Sequence, residues 1–384
     1  MVKIATGFGS GGGWGEAVSW VLEAEKLGVD SVWTAEAWGF DAVTPLAYLA
    51  GKTEKVKLGT SIMQAGTRTP AAVAMTALTM QSLSNGRFIF GLGNSGPQVI
   101  EGWHGIRFDR PVQRLREIVE IVRMAASGER VTYNGKVYQL PLPGGEGRAL
   151  KVSAPPAHVP IYLATLGPKS LEVTGEIADG WLASSFTADN SKPLLDAIRR
   201  GADRAGRDFD AIERQAGGVV QFGDDLDKLI APRKSGFAFE MGAMGSPEHN
   251  FYKDAYAMQG FGEAANRVQS LWLERKRDEA AAAVPDELVV KANLLGTETM
   301  VKDRIRAYRD AGITSISVSP AGETLGERVE TLGRLMKLVG EVNAARSDDF
   351  PRFHRRIRWH SQPNSTASAA TFSPRRTDSP SRNS

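Results

Sequence analysis

Two residues in this chain have the type and setting for proton exchange. Glu36 closes the run SVWTAE between Trp33 and Trp38, and apolar neighbours of that kind raise a carboxyl group's pKa and suit it to acid–base work. His104 sits with Glu101 and Trp103 in VIEGWHG, whereas His158 merely precedes an apolar run and His249 lies in a long insertion. Each has a plainer alternative: Glu36 as a carboxylate that orients a ligand or caps a loop, His104 as a structural histidine. The aromatic set Trp38, Phe40, Trp103 and Phe108 suits the walls of an apolar substrate pocket, or ordinary packing.

Redox chemistry would have to be borrowed. The chain has no cysteine, which excludes disulfides, thiolate nucleophiles, iron–sulfur ligation and Cys-based zinc sites. No HExxH, histidine-rich tract or acidic ladder occurs, so no metal site is expected. Residues Gly7 to Gly12 spell GxGxxG after a first apolar run, with Glu36 near the distance of a ribose-binding acid, which is formally a dinucleotide fingerprint. In such a turn the helix starts around the second glycine; here three consecutive glycines and a fourth at Gly15 delay any helix to Trp14 or later. A loop that lets backbone approach a ligand is the better expectation.

The elements that must position these residues alternate regularly. Apolar or β-branched runs at Val2 to Phe8, Ser31 to Glu36, Lys57 to Gln64, Arg87 to Gly93, Pro160 to Gly167, Asp179 to Ser185, Gly217 to Gly223 and Ser315 to Ser319 read as strands. Amphipathic helical stretches follow them, for instance Trp14 to Leu27 and Pro70 to Leu83, where Pro70 suits a first helical turn. Eight βα units without a break predict an α/β fold of the (β/α)8 TIM-barrel kind, with chemistry at the carboxyl ends of the strands. Two insertions interrupt it. Residues 128–152 hold Asn134-Gly135 between alternating runs, the signature of a two-residue type I′ hairpin, and residues about 240–300 form a mostly helical excursion.

Composition agrees with one large domain over residues 1–343: 42% apolar and 24% charged side chains are enough to bury a core. The amino terminus lacks a secretion signal and no apolar run spans a bilayer, so a cytoplasmic protein without a membrane span is expected. From Arg346 onward eight arginines face three aspartates, a surplus of +5 that exceeds the chain's total of +3 and leaves −2 for the rest. Residues 344–384, rich in Ser, Pro and Arg, are expected to be a disordered tail, solvated and without a specific nucleic-acid partner.

Three segments carry a resemblance: SVWTAEAWGFDAVTPLAYLA, the stretch from KLGTSIMQ through GLGNSGPQVIEGWHG, and IYLATLGPKSLEVTGEIADGW. In order and spacing they are similar to the luciferase-like monooxygenase superfamily, specifically to its branch dependent on the deazaflavin coenzyme F420. That resemblance implies a bound F420, with FMN as the alternative, and places its site at the strand ends. Ser61-Ile62 matches the family's non-proline cis peptide, which backs the deazaflavin ring, with Met63 and Gln64 following it. Gly93, Asn94, Ser95 and Gly96 would offer backbone amides to the ribityl or phosphate part. Ala164, Thr165, Leu166, Gly167, Pro168 and Lys169 resemble a phosphate region, with Ser184 nearby, though Lys169 could be a plain surface lysine. Deazaflavin sugar-phosphate and alcohol dehydrogenases carry an Asp-His pair after strand two and a glutamate after strand four, where this chain has Glu36-Ala37 and Pro97. Their mechanism is therefore not expected here.

Three functions fit this reading. The first is an F420-dependent oxidoreductase moving a hydride to or from a small apolar or conjugated substrate; the second, an FMN-dependent monooxygenase; the third, a non-catalytic cofactor-binding barrel. A homodimer is compatible with the resemblance.

Overall fold

The computed structural model describes residues 1–8, 12–245 and 249–348. Eight parallel strands close on themselves: β1 (Lys3–Gly7), β2 (Ser31–Thr34), β3 (Lys57–Thr60), β4 (Phe88–Gly93), β5 (Ile161–Ala164), β6 (Gly180–Leu182), β7 (Glu213–Phe222) and β8 (Ser315–Pro320). Each pairs in parallel with the next, and β8 pairs with β1 from Lys3↔Ser315 to Thr6↔Val318. A closed parallel ring excludes the open dinucleotide-binding sheet that the glycine motif spells. Helices α1 (Trp14–Lys26), α2 (Thr44–Ala50), α3 (Pro70–Leu83), α4 (Pro111–Ala126), α5 (Pro168–Ile177), α6 (Lys192–Arg204), α7 (Glu298–Asp310) and α8 (Leu325–Asp348) surround it. The helix after the glycine loop does begin at Trp14, preceded by Gly13 at φ 87°; residues 9–11 of the motif lie outside the described residues.

The main core lies between barrel and helices, where Leu58, Phe88, Phe90 and Leu92 meet Leu78, Leu115, Ile118 and Val122, all buried. Gly91 is required there: a Cβ would stand 1.7 Å from the Thr60 carbonyl oxygen of the neighbouring strand. Inside the barrel a smaller plug of Ala5, Trp33, Ile89 and Leu182 fills the lumen. Trp33 belongs to that plug, its indole N–H donating to Ser31 Oγ at 2.9 Å, so it does not flank the Glu36 carboxylate.

Four expectations shift. Strand seven starts at Glu213, four residues before the apolar run, because the polar segment ERQA is a strand whose Arg214 is buried and donates to the carbonyls of Phe209, Ile212 and Gly312. The 128–152 excursion pairs Tyr133–Asn134 with Gln139–Leu140, leaving four residues in its loop instead of two. Buried Glu117 is the reason: it accepts the backbone N–H groups of Lys136, Val137 and Tyr138, so the chain winds around a carboxylate. The second excursion already leaves β7 after Phe222, returns through an added strand Leu294–Gly296 on β7, and carries its own core of Met241, Tyr256, Val268 and Leu288. Helix α8 runs to Asp348, past the expected start of the tail, and residues 349–384 lie outside the described residues.

Candidate functional site

The carboxyl ends of the strands form the mouth of the barrel. After β3 the Ser61–Ile62 peptide is cis, as expected, and Met63 and Gln64 then pair with Leu92 and Gly93 of β4. Ile62 and Ala164 cover the lumen plug and remain partly open to the mouth. Between them sits Gly93, where a Cβ would lie 2.7 Å from Ile62 Cδ1 and 3.3 Å from Ala164 Cβ. Glycine at 93 thus lets Ile62 and Ala164 approach each other across it.

The other predicted cofactor residues divide by what they still have to offer. Asn94, Ser95 and Gly96 form a half-buried turn after β4, with Ser95 at φ 56°, leading into a short unforeseen helix, Pro97–Ile100. Leu166 and Gly167 are half-buried, Pro168 and Lys169 exposed, and no side chain caps the first turn of α5, so its leading amides are not spent on a cap. Ser184 is exposed after β6. Met63 and Thr165 are corrections. The Met63 side chain is buried in the main core, away from the mouth. Thr165 is buried too, its hydroxyl 2.7 Å from that of Thr174 and its carbonyl accepting the Trp181 indole N–H. Alternation along the strand end turns both side chains outward from the lumen.

Glu36 is corrected as well. Arg68 grips its carboxylate with two donors, at 2.7 Å to Oε1 and 3.0 Å to Oε2, and the backbone N–H groups of Gln64 (2.8 Å) and Ala42 (3.2 Å) add two more. With four donors on a carboxylate only 8% exposed, nothing is left to take a proton from a substrate. Glu36 is a brace between the β2 and β3 loops. Gln64 extends it: its amide N–H2 donates to the carbonyls of Glu36 and Ala37, which turns its Oε1 toward His104 Nε2 at 2.7 Å. His104, exposed on the loop after β4, accordingly donates through Nε2. Structure therefore brings Glu36, Gln64 and His104 together, as one chain anchored by Arg68.

The expected aromatic pocket is an open rim. Trp38, Phe40 and Trp103 are 60%, 63% and 65% exposed. Phe40 packs edge-on against Trp14, ring centroids 4.9 Å apart, and Trp14 meets Phe8 at 5.7 Å. Trp14 marked the start of a helix in the sequence and carried no other signal. Phe108 stands apart, in a loop fastened by its N–H to Glu101 Oε1 at 2.9 Å, which also gives Glu101 a structural duty.

Across the ring from β2 stands β6, and its carboxyl end meets the second excursion. Glu240, on the helix Lys234–Ala243, accepts hydrogen bonds from Tyr256 Oη (2.8 Å) and Ser185 Oγ (3.2 Å), both on Oε2. Gln259 clasps the same turn, donating to the Ser185 carbonyl and accepting from Thr187 N–H. Burial pushes the Glu240 carboxyl above the usual carboxylate range, against the opposite pull of those two hydroxyls. Its charge pushes the Tyr252 and Tyr256 hydroxyls, already raised by burial, further up. Among the described residues no group of three or more His, Cys, Asp and Glu is placed to hold a metal, and no helix is long and apolar enough to cross a membrane.

Relatives share this arrangement of elements. A Mycobacterium tuberculosis protein named, provisionally, as a coenzyme F420-dependent oxidoreductase is 42% identical over 328 residues, 82% of this chain and 93% of the relative. The 5,10-methylenetetrahydromethanopterin reductase of Archaeoglobus fulgidus is 26% identical over 82% of this chain and 92% of its own. In fold, the chain is similar to the coenzyme F420 dependent tetrahydromethanopterin reductase of Methanopyrus kandleri, with a TM-score of 0.72 at 23% identity, covering 86% of this chain and 97% of that one. Residues 2–315 match the family profile described as luciferase-like monooxygenase, and the chain belongs to that family.

Proposed function

We propose that this chain is a coenzyme F420-dependent oxidoreductase that moves a hydride between the deazaflavin and a small apolar or conjugated organic substrate. The observation that carries the reading is the close approach of Ile62 and Ala164 over Gly93 at the strand ends, a partly open apolar patch that suits one face of a flat tricycle. The name given to the 42% identical relative supports the choice of cofactor. Such a cofactor supplies, when bound, a hydride donor or acceptor at one ring carbon.

The protein's own groups fit the rest of that molecule. Backbone at Asn94 to Gly96, Ser184, and the uncapped N–H groups of Gly167 and Lys169 suit its hydroxylated and phosphorylated tail. Trp38, Phe40, Trp14 and Trp103 offer aromatic faces at the rim, while the cation of the near wall, Arg68, is already spent on Glu36. That combination favours a substrate without a phosphate or carboxylate, as does Ala37, where sugar-phosphate dehydrogenases of this kind have histidine. His104 is held through Gln64 at the edge of the mouth, where it would orient a polar end of the substrate.

Fluorescence titration of the purified protein with oxidised F420 and with FMN tests the reading. F420 should bind at least about tenfold more tightly, a difference of about 1.4 kcal/mol. Tighter binding of FMN would point instead to a flavin-dependent monooxygenase, and binding of neither would end the proposal.

A further inference from the structure

Other partly or fully buried carboxylates of this protein are held by backbone amides or by charged side chains. Glu25 accepts the N–H groups of Glu54, Lys55 and Val56; Glu117 accepts three amides and the Gln113 side chain; Glu213 is held by Lys3 and Thr314; Glu36 has its four donors. Burial alone would raise Glu25 and Glu117, yet these donors hold both below the usual range.

Glu240 has neither kind of donor among the described residues. Among the described residues only Oε2 is engaged, by two neutral hydroxyls; Oε1 has no partner there and is not among the fully enclosed side-chain polar atoms without one, which are the Nε atoms of Arg233 and Arg328. No cation among the described residues is shown to offset its charge. The ionisable groups that face it are Tyr252 and Tyr256, while Lys234 on its own helix pairs with Asp286 and Lys253 lies with Gln269 and Asp254. A carboxyl group with one tethered and one open oxygen, with no counter-ion among the described residues and tied to Ser185 just beyond the carboxyl end of β6, has the construction of a proton donor.

We propose that Glu240 is the proton-exchanging group of this mouth, with Tyr256 and Ser185 as its positioning residues; this rests on the oxidoreductase reading above. In the reducing direction a reduced deazaflavin, when bound, would supply the hydride, its C–H bond giving way as the substrate carbon gains hydrogen and two electrons. The π pair of the C=O, C=N or C=C bond moves to the far atom, which takes the proton from Glu240 Oε1. One C–H bond and one bond from that far atom to hydrogen form while the Glu240 O–H bond breaks. The carboxylate left behind is stabilised by the hydroxyls of Tyr256 and Ser185, and water returns the proton.

Labelling of the full chain tests this without a known substrate. A water-soluble carbodiimide with an amine traps carboxyl groups that carry a proton and can be reached, and peptide mass spectrometry locates the adducts. Glu240 should label at least about threefold faster than Glu36 at neutral pH, and saturating F420 should slow it by a similar factor, since a few-fold change follows from about 0.7 kcal/mol of differential access. The tethers provide a second readout. Tyr256→Phe should raise the pH midpoint of Glu240 labelling, because it removes a hydroxyl that favours the charged form, whereas a merely structural Tyr256 would leave that midpoint unmoved. Failure of F420 to bind at all would count against the function. F420 binding with Glu240 unlabelled, or labelled equally with and without cofactor, would overturn the role of Glu240 and leave the function standing.

Discussion

The two walls of the mouth treat their carboxylates in opposite ways. On the β2 side Glu36 is ion-paired to Arg68 and filled with backbone donors; on the β6 side Glu240 has two neutral hydroxyls on one oxygen and, among the described residues, no partner on the other. A saturated carboxylate fixes loops and cannot move a proton, whereas a half-satisfied one costs stability and can. Acid–base potential in this barrel is therefore set by which carboxylate its neighbours leave unfinished, and not by which one stands nearest a strand end.

The largest effect on that contrast should come from Arg68→Ala. It strands the Glu36 carboxylate without its counter-ion, and a loss of about 3 kcal/mol is expected in urea unfolding at pH 7. A loss under about 1 kcal/mol would show that the pair is a surface contact and that Glu36 is free for other work. Glu36→Gln keeps the size but removes the charge, and about 1–2 kcal/mol should go at pH 7.

A third variant sharpens the account of the apolar patch between the walls. In Gly93→Ala the added methyl must displace Ile62 Cδ1, only 2.7 Å away, so F420 affinity should fall about tenfold, or about 1.4 kcal/mol, while the fold persists. Unchanged affinity would mean that the cofactor face does not rest there. The smallest effects belong to the rim: Trp38→Ala and Trp103→Ala should each leave stability within about 0.5 kcal/mol and raise the KM for an apolar substrate a few-fold, or by about 1 kcal/mol of binding. An unchanged KM in both would remove the rim from the substrate site.

Much of this could be read from the residues alone, and the exceptions share a cause. The strand runs from Lys57 to Gln64 and from Arg87 to Gly93 announced themselves because apolar periodicity is local, and TSIMQ carried the cis peptide through resemblance. Glu36 was legible as a polar residue at a strand end, but its partner Arg68 lies 32 positions away in a loop with no periodicity of its own. Glu240 sits 55 positions from Ser185, within FAFEMG, where nothing marks a carboxylate as buried. The hairpin went astray for the same reason: Asn134-Gly135 favours a two-residue turn locally, but Glu117, brought in by α4, captures the amides and lengthens the loop. Local signals specify elements; the protonation and satisfaction of buried groups depend on contacts between distant ones.

The central contrast is most directly tested by thermal stability against pH for the wild type, Glu36→Gln and Glu240→Gln. Because the Glu240 carboxyl is raised in the folded state, its contribution is fully present at acid pH, below the ordinary carboxylate range, and is lost as pH rises through the folded value. A glutamine cannot ionise and does not suffer that loss. At pH 8, Glu240→Gln should therefore melt at or above the wild type, by about 1–3 °C, with the gain shrinking toward pH 4, while Glu36→Gln melts below it. A Glu240→Gln variant destabilised at pH 8 to the extent of Glu36→Gln would contradict the account, since both carboxylates would then be braces.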